Sequence, residues 1–145
     1  MPAPWAYFDT SVLVKRYVRE RGSPRAGVLL RRYRFLSSAI LPVEVMSALC
    51  RRRAAGELTR QHFAAILTRI REDRSYWQLV EVSPMVLAQA EELVQQASVT
   101  TLDAIHVASA MAFQAASGIR IPFITGDTRQ QDVASQVALD VVRVG

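Results

Sequence analysis

Four carboxylates stand where an acid is out of keeping with its neighbours, and together they have the makings of a metal site: Asp9, Glu44, Asp103 and Asp127. Asp9 ends the apolar run Ala6-Tyr7-Phe8 and precedes the hydroxyls of Thr10 and Ser11. Glu44 lies within Val43-Glu44-Val45-Met46, Asp103 within Leu102-Asp103-Ala104-Ile105, and Asp127 follows Ile124-Thr125-Gly126. Taken singly, each acid has an ordinary reading. Glu44 and Asp103 suit the first turn of a helix, where an acid gains about 0.3–1 kcal/mol from the helix dipole. Asp127 after glycine is turn chemistry, and Asp9 can cap the helix behind it. Taken together in one crevice, four unpaired carboxylates would repel one another strongly unless a cation shared the site. Oxygen ligands select Mg2+ or Mn2+ over zinc. No Ser/His/Asp or Cys/His triad is evident. The lone Cys50, at helical spacing with Met46 and Leu49, reads as a small core or groove residue.

The elements that must deliver these acids read as strands alternating with helices. A strand at residues 5–8 leads into a helix over about residues 11–20, broken at Arg21-Gly22. Ser23-Pro24 signals an N-cap and the first position of a second helix ending near Tyr33. A short buried strand at residues 35–38 precedes a helix opened by Pro42 and closed by Arg51-Arg52-Arg53, where cations suit the dipole. Thr59 caps a helix over residues 60–74, residues 76–82 carry strand propensity, and Ser83-Pro84 starts another helix. Thr100 or Thr101 caps the helix that runs to Gly118. Residues 121–125 form a strand, about 128–136 a short helix, and 139–144 a last strand. The alternation predicts an α/β fold with a parallel sheet covered on both faces. Asp9 and Asp127 then sit at carboxyl ends of strands, where ligand crevices form. Helix N-termini that follow strands face the same edge, which brings Glu44 there; Asp103 has no strand directly before its helix.

Composition sets the bounds. At 145 residues, half of them hydrophobic, the chain can bury a real core as one domain, residues 1–145. No apolar run approaches the ~18 residues of a membrane span, and residues 1–4 lack the marks of a signal peptide, so a cytoplasmic protein is expected. Of the eighteen Lys and Arg side chains only Lys15 is a lysine, and the formal net charge is +5. Arginine's planar fork suits phosphates and carboxylates, which makes RNA a reasonable partner. A genomic bias toward arginine, placed on solvated helix faces, explains the same composition.

The motifs Tyr7-Phe8-Asp9-Thr10-Ser11, Leu41-Pro42-Val43-Glu44-Val45, Thr101-Leu102-Asp103-Ala104-Ile105-His106-Val107-Ala108 and Ile124-Thr125-Gly126-Asp127 resemble those of PIN-domain ribonucleases, and more narrowly of VapC-type toxins. The likeness spans essentially the whole chain, with the motifs in order. It implies a three-layer α/β/α fold, cleavage of RNA dependent on Mg2+ (with Mn2+ able to substitute), a homodimer, and neutralisation by a cognate antitoxin. By the resemblance Asp9, Glu44, Asp103 and Asp127 are the acidic quartet holding the metal that activates the attacking water, and Thr10, Ser11 and Thr125 support the acids. The departure is after Asp127, where Thr128-Arg129-Gln130-Gln131 replaces the aromatic or leucine that relatives often carry. The alternative within the fold is an RNA-processing nuclease without an antitoxin. A phosphatase of the haloacid dehalogenase kind would need a second Asp at position 11, which is serine, and a receiver domain would need a late lysine.

His106, three residues after Asp103, is read as a structural or supporting histidine, with a catalytic role as the alternative. His62 reads as a surface residue. Lys15 and Arg16 belong to a solvated helix face or, alternatively, bind RNA phosphates. Trp5, Tyr7, Trp77 and Phe123 read as core or interface aromatics. Val14, Tyr17, Val18, Leu29, Leu30, Met46 and Leu49 give the helices between Ser11 and Tyr33 and from Pro42 to Arg53 more apolar surface than one face needs. What the sheet does not cover would form a groove for an amphipathic antitoxin helix, whose arginine would compete with metal for Asp9 and Glu44.

Overall fold

The strand β1, Trp5–Phe8, is the middle of a five-stranded sheet in a computed structural model that describes residues 2–145. The sheet order is β3-β2-β1-β4-β5, with β2 at Arg34–Ser38, β3 at Gln78–Val80, β4 at Pro122–Thr125 and β5 at Asp140–Arg143. All pairings are parallel; Tyr7 registers with Leu36 of β2 on one side and Phe123 of β4 on the other. A parallel sheet must be covered on both faces, and the helices do so. Side chains alternate along β1. Phe8 joins a core with α1 (Thr10–Tyr17), α2 (Ser23–Arg32), α3 (Leu41–Ala54) and α4 (Arg60–Arg74). Tyr7 joins the opposite core, with α5 (Pro84–Gln96), α6 (Thr101–Ser117) and α7 (Thr128–Gln136). The three-layer α/β/α architecture expected from the alternation is the one observed.

Two stacked aromatic pairs anchor the faces: Phe8 on Phe35 at 5.1 Å between centroids, and Tyr7 on Phe123 at 5.2 Å. The Tyr7 and Phe8 rings are fully buried, and emptying such a position in a core costs about 3–5 kcal/mol. The core reading of the aromatics holds for Tyr7 and Phe123, while Trp5 and Trp77 pack half-buried at its margin. α6 is buried on every side from Ala104 to Ala110, because its small residues let it lie close beneath the sheet.

The capping signals were accurate at Thr59, Ser83 and Thr100, whose hydroxyls accept from the third residue on. Three boundaries differ from the sequence expectation. α1 stops at Tyr17, because Val18 takes an extended conformation (φ −124°, ψ 128°) that buries its side chain. Ser23 is not the N-cap of α2: its hydroxyl accepts from Glu20 N and donates to Val18 O, and Gly22, at φ 87°, takes the cap position. The strand expected over residues 76–82 shrinks to Gln78–Val80.

Most of the apolar side chains foreseen as surplus on the helices between Ser11 and Tyr33 and from Pro42 to Arg53 are buried. Val14, Tyr17, Val18, Leu29 and Leu49 are core residues, Leu30 is half-buried, and Met46 alone is exposed, at 36%. Among the described residues no helix is long and apolar enough to cross a membrane.

Candidate metal centre

The order of the sheet reverses between β1 and β4: α1 leaves β1 toward one face and α7 leaves β4 toward the other. Such a switch point opens a crevice at the carboxyl edge. Asp9 sits in it, one residue past β1, its backbone N–H bonded to Ile124 O of β4 at 3.1 Å. Gly126 keeps the turn after β4 close enough to complete the edge, since a Cβ there would stand 3.0 Å from both Ser11 Oγ and Val144 O.

All four predicted acids line one cleft of about 850 Å3, which also takes in Thr10, Ser11, His106 and Gln130. Asp9 is 1% exposed. Its Oδ1 accepts from Ser11 Oγ at 2.6 Å and from Val12 N at 3.3 Å, and its Oδ2 accepts from Thr125 Oγ1 at 2.7 Å. Burial nevertheless raises its pKa above the ordinary carboxylate value, outweighing His106 and the three donors. Glu44, on the first turn of α3, accepts at Oε1 from Thr10 Oγ1 at 2.6 Å and shares a 2.6 Å hydrogen bond with His106 Nε2. Burial pushes this carboxyl up too, but His106 and Thr10 outweigh it and hold it below its ordinary value. His106 completes a chain inward, its Nδ1 2.8 Å from the Tyr7 hydroxyl. With both ring nitrogens engaged and 1% exposure, His106 orients Glu44 and does not reach the cleft as a free base, which agrees with its reading as a supporting residue.

The other two acids are half-buried and more loosely held. Asp103 Oδ1 accepts from Gln130 Nε2 at 2.6 Å. Asp127 caps α7, Oδ1 accepting from Arg129 N at 2.8 Å and Gln130 N at 3.0 Å. Thr125 Oγ1 accepts from Asp127 N at 2.9 Å while donating to Asp9, so one hydroxyl joins the two strand-end acids.

Each acid has protein donors: the expected hydroxyls of Thr10, Ser11 and Thr125, together with an amide, backbone N–H groups and His106. Among the described residues no three acid, histidine or cysteine side chains converge closely enough to hold an ion as they stand. The donor set still fits a hard divalent cation: carboxylate and hydroxyl oxygens dominate. Glu44 Oε2, Asp103 Oδ2 and Asp127 Oδ2 have no hydrogen-bond partner among the described residues, so each has lone pairs free for a metal.

Gln130 is the residue that sequence reasoning missed. It is 4% exposed, ties Asp103 to Asp127, and lies 3.4 Å from Thr125 Oγ1. Asp127-Thr128-Arg129-Gln130 has the spacing of a capping box, which was the available signal; here the amide reaches across to Asp103 instead of back to its own helix. Lys15 and Arg16 do not line the cleft; Arg16 is exposed on its helix face, Lys15 is half-buried, and both are ion-paired. Lys15 Nζ is 3.0 Å from Glu20 Oε1, and Arg16 Nε is 2.8 Å from Asp73 Oδ2. His62 is exposed and Cys50 half-buried, as read. Beyond the acids the cleft continues along one face of α3 past Ser47 and Ala48 to Arg51 and Arg52.

Comparison with known proteins agrees with this architecture. No curated protein sequence matches the chain. Among solved structures, a toxin–antitoxin complex from Klebsiella pneumoniae is 20% identical with a TM-score of 0.61, covering 86% of this chain and 88% of that one. VapBC2 from Rickettsia felis, bound to a DNA fragment from its promoter, is 10% identical with a TM-score of 0.66, over 97% and 98% of the two chains. FitAcB from Neisseria gonorrhoeae is 15% identical with a TM-score of 0.71, over 95% and 96%. At these identities the likeness is one of fold. The profile of the PIN domain matches residues 6–136, so the chain belongs to the PIN-domain family, a family of nuclease type that generally uses divalent metal ions.

Proposed function

We propose that the chain, read whole as one nuclease domain, is a cytoplasmic endoribonuclease of the VapC type, dependent on Mg2+ or Mn2+ and held in check by an antitoxin. A homodimer is part of this reading. The observation that carries it is the meeting of four carboxylates in one cleft, three of them with an oxygen still free. The solved relatives that share the fold include toxin–antitoxin complexes, which supports the partner.

Asp9, Glu44, Asp103 and Asp127 would hold the cation, which when bound supplies an acidified water and neutralises charge developing on the scissile phosphate. Ser11 and Thr125 hold Asp9 in its rotamer, and Thr10 with His106 does the same for Glu44. In hydrolysis the water oxygen bonds to phosphorus, the P–O bond to the leaving nucleoside breaks, and a proton passes to the leaving oxygen. No side chain forms a covalent intermediate. Arg51, and Arg52 where it is released from Glu20 and Glu57, would meet neighbouring phosphates from the far end of the cleft.

The test is cleavage of single-stranded RNA by purified protein, paired with growth on expression alone. Several kcal/mol of charge stabilisation rest on the metal, so Asp103→Asn should lower Mg2+-dependent cleavage roughly a thousand-fold and relieve growth arrest. Undiminished cleavage by the folded variant contradicts the site. Active enzyme that leaves growth untouched favours the RNA-processing alternative.

A further inference from the structure

A second cavity, of about 830 Å3, opens between α1, α2 and α4 on the far side of Glu20 from the acidic cleft. Its lining includes Lys15, Arg16, Arg19, Arg31, Arg69 and His62. Two of these cations are anchored, Lys15 on Glu20 and Arg16 on Asp73. Arg19, Arg31 and Arg69 have no carboxylate partner among the described residues. Three exposed guanidiniums gathered around one concavity give it a positive potential that favours an anion.

The local structure keeps them there. Arg69 lies over the buried ring of Tyr17, 5.3 Å from its centroid, with its Nη2 3.4 Å from Arg16 O. Arg31 folds back over Gly27, where an added Cβ would meet its Nη1 at 3.2 Å. Glycine is a poor helix former, yet here it stands mid-helix in α2 and leaves room for the guanidinium at the cavity wall. Among the described residues, Tyr17 and Pro24 are the only large apolar side chains in its lining, and cations outnumber them. Phosphates are met by Arg and Lys forks.

The two cavities share Glu20. Its carboxylate lies between Lys15, which faces the basic cavity, and Arg52, which faces the acidic cleft and also pairs with it. A strand engaged at the acids therefore reaches the basic cavity by crossing the Lys15–Glu20–Arg52 bridge that separates the two.

We infer that this cavity is a sequence-independent site for the phosphodiester backbone of an RNA strand, extending the substrate path beyond the catalytic cleft; the inference rests on the ribonuclease reading above. Arg19, Arg31 and Arg69 are its phosphate contacts, while Lys15 and Arg16 set the local potential.

The experiment measures binding of a fluorescent single-stranded RNA of twenty or so nucleotides in EDTA, as a function of salt, alongside steady-state cleavage in Mg2+. It compares wild type with the triple variants Arg19→Ala/Arg31→Ala/Arg69→Ala and Arg19→Lys/Arg31→Lys/Arg69→Lys. Each phosphate contact contributes about 0.7 to the slope of log K against log salt for single strands. The alanine variant should lose about two from that slope, and its KM for the long RNA should rise about ten-fold with kcat unchanged. The lysine variant should retain most of the slope. Unchanged slope and KM in a folded alanine variant overturn the inference, as does RNA binding left intact while capture of an acidic protein partner is lost. Binding in EDTA is read without catalysis, so failure of wild type to cleave RNA would count against the proposed function and leave the salt slope to decide the cavity.

Discussion

The acidic edge has two unlike halves. On the β1 side, Asp9 and Glu44 are locked among Ser11, Thr125, Thr10 and His106, with Tyr7 bracing the histidine. On the side of α6 and α7, Asp103 and Asp127 are half-exposed, and most of what holds them is Gln130 and the first N–H groups of α7. The first half has more side-chain donors and leaves one oxygen, Glu44 Oε2, without a partner; the second leaves two, Asp103 Oδ2 and Asp127 Oδ2. A cation between them would meet one wall held by several side chains and one held chiefly by Gln130 and the start of α7.

Gln130 is the place to break this contrast. Gln130→Met keeps the volume and removes both amide functions, so Asp103 loses its tether while the β1 half is untouched. Groups that orient metal ligands typically change affinity 10–100-fold when lost. Mn2+ affinity should fall within that range with little change in Tm. Unchanged affinity would mean that Asp103 needs no tether.

A smaller effect sharpens the contrast from the other side. Burial raises the pKa of Asp9 in the folded protein, so the native state binds its proton more tightly than the unfolded chain does. The sign follows: the contribution of Asp9 to stability is greatest below its ordinary pKa of about 3.9 and is lost as pH rises through the raised folded value. In EDTA, Asp9→Asn should therefore melt higher than wild type at pH 7, and its Tm should decline less between pH 4 and pH 7. A variant that melts lower at every pH would show that the donors from Ser11, Val12 and Thr125 outweigh burial.

Much of this was legible in the sequence because local signals agreed with the global pattern. Alternating strands and helices gave the three layers, and Thr59, Ser83 and Thr100 marked helix starts accurately. The four acids were visible as charges inside apolar segments, and the arrival of Asp9, Glu44 and Asp127 at one edge followed from the parallel sheet, while that of Asp103 did not. What was not legible depends on side chains that meet across the fold. Nothing in the order of residues says that Gln130 reaches Asp103, that Tyr7 reaches His106, or that Glu20 separates two cavities. Nor could helical periodicity decide how much of α1 and α3 the sheet would cover, and it covered more than expected. The loop after α1 was misread because Ser23 had two uses, and the one that bonded the preceding turn prevailed.

The central claim is that the four carboxylates form one site for a divalent cation. Calorimetric titration of Mg2+ or Mn2+ into wild type and into Asp9→Asn, Glu44→Gln, Asp103→Asn and Asp127→Asn tests it directly, with melting curves to verify the fold of each. Saturable binding to wild type that weakens ten-fold or more in every variant is the predicted result. Binding that keeps its affinity in all four folded variants, or no binding to wild type at millimolar metal, would contradict it.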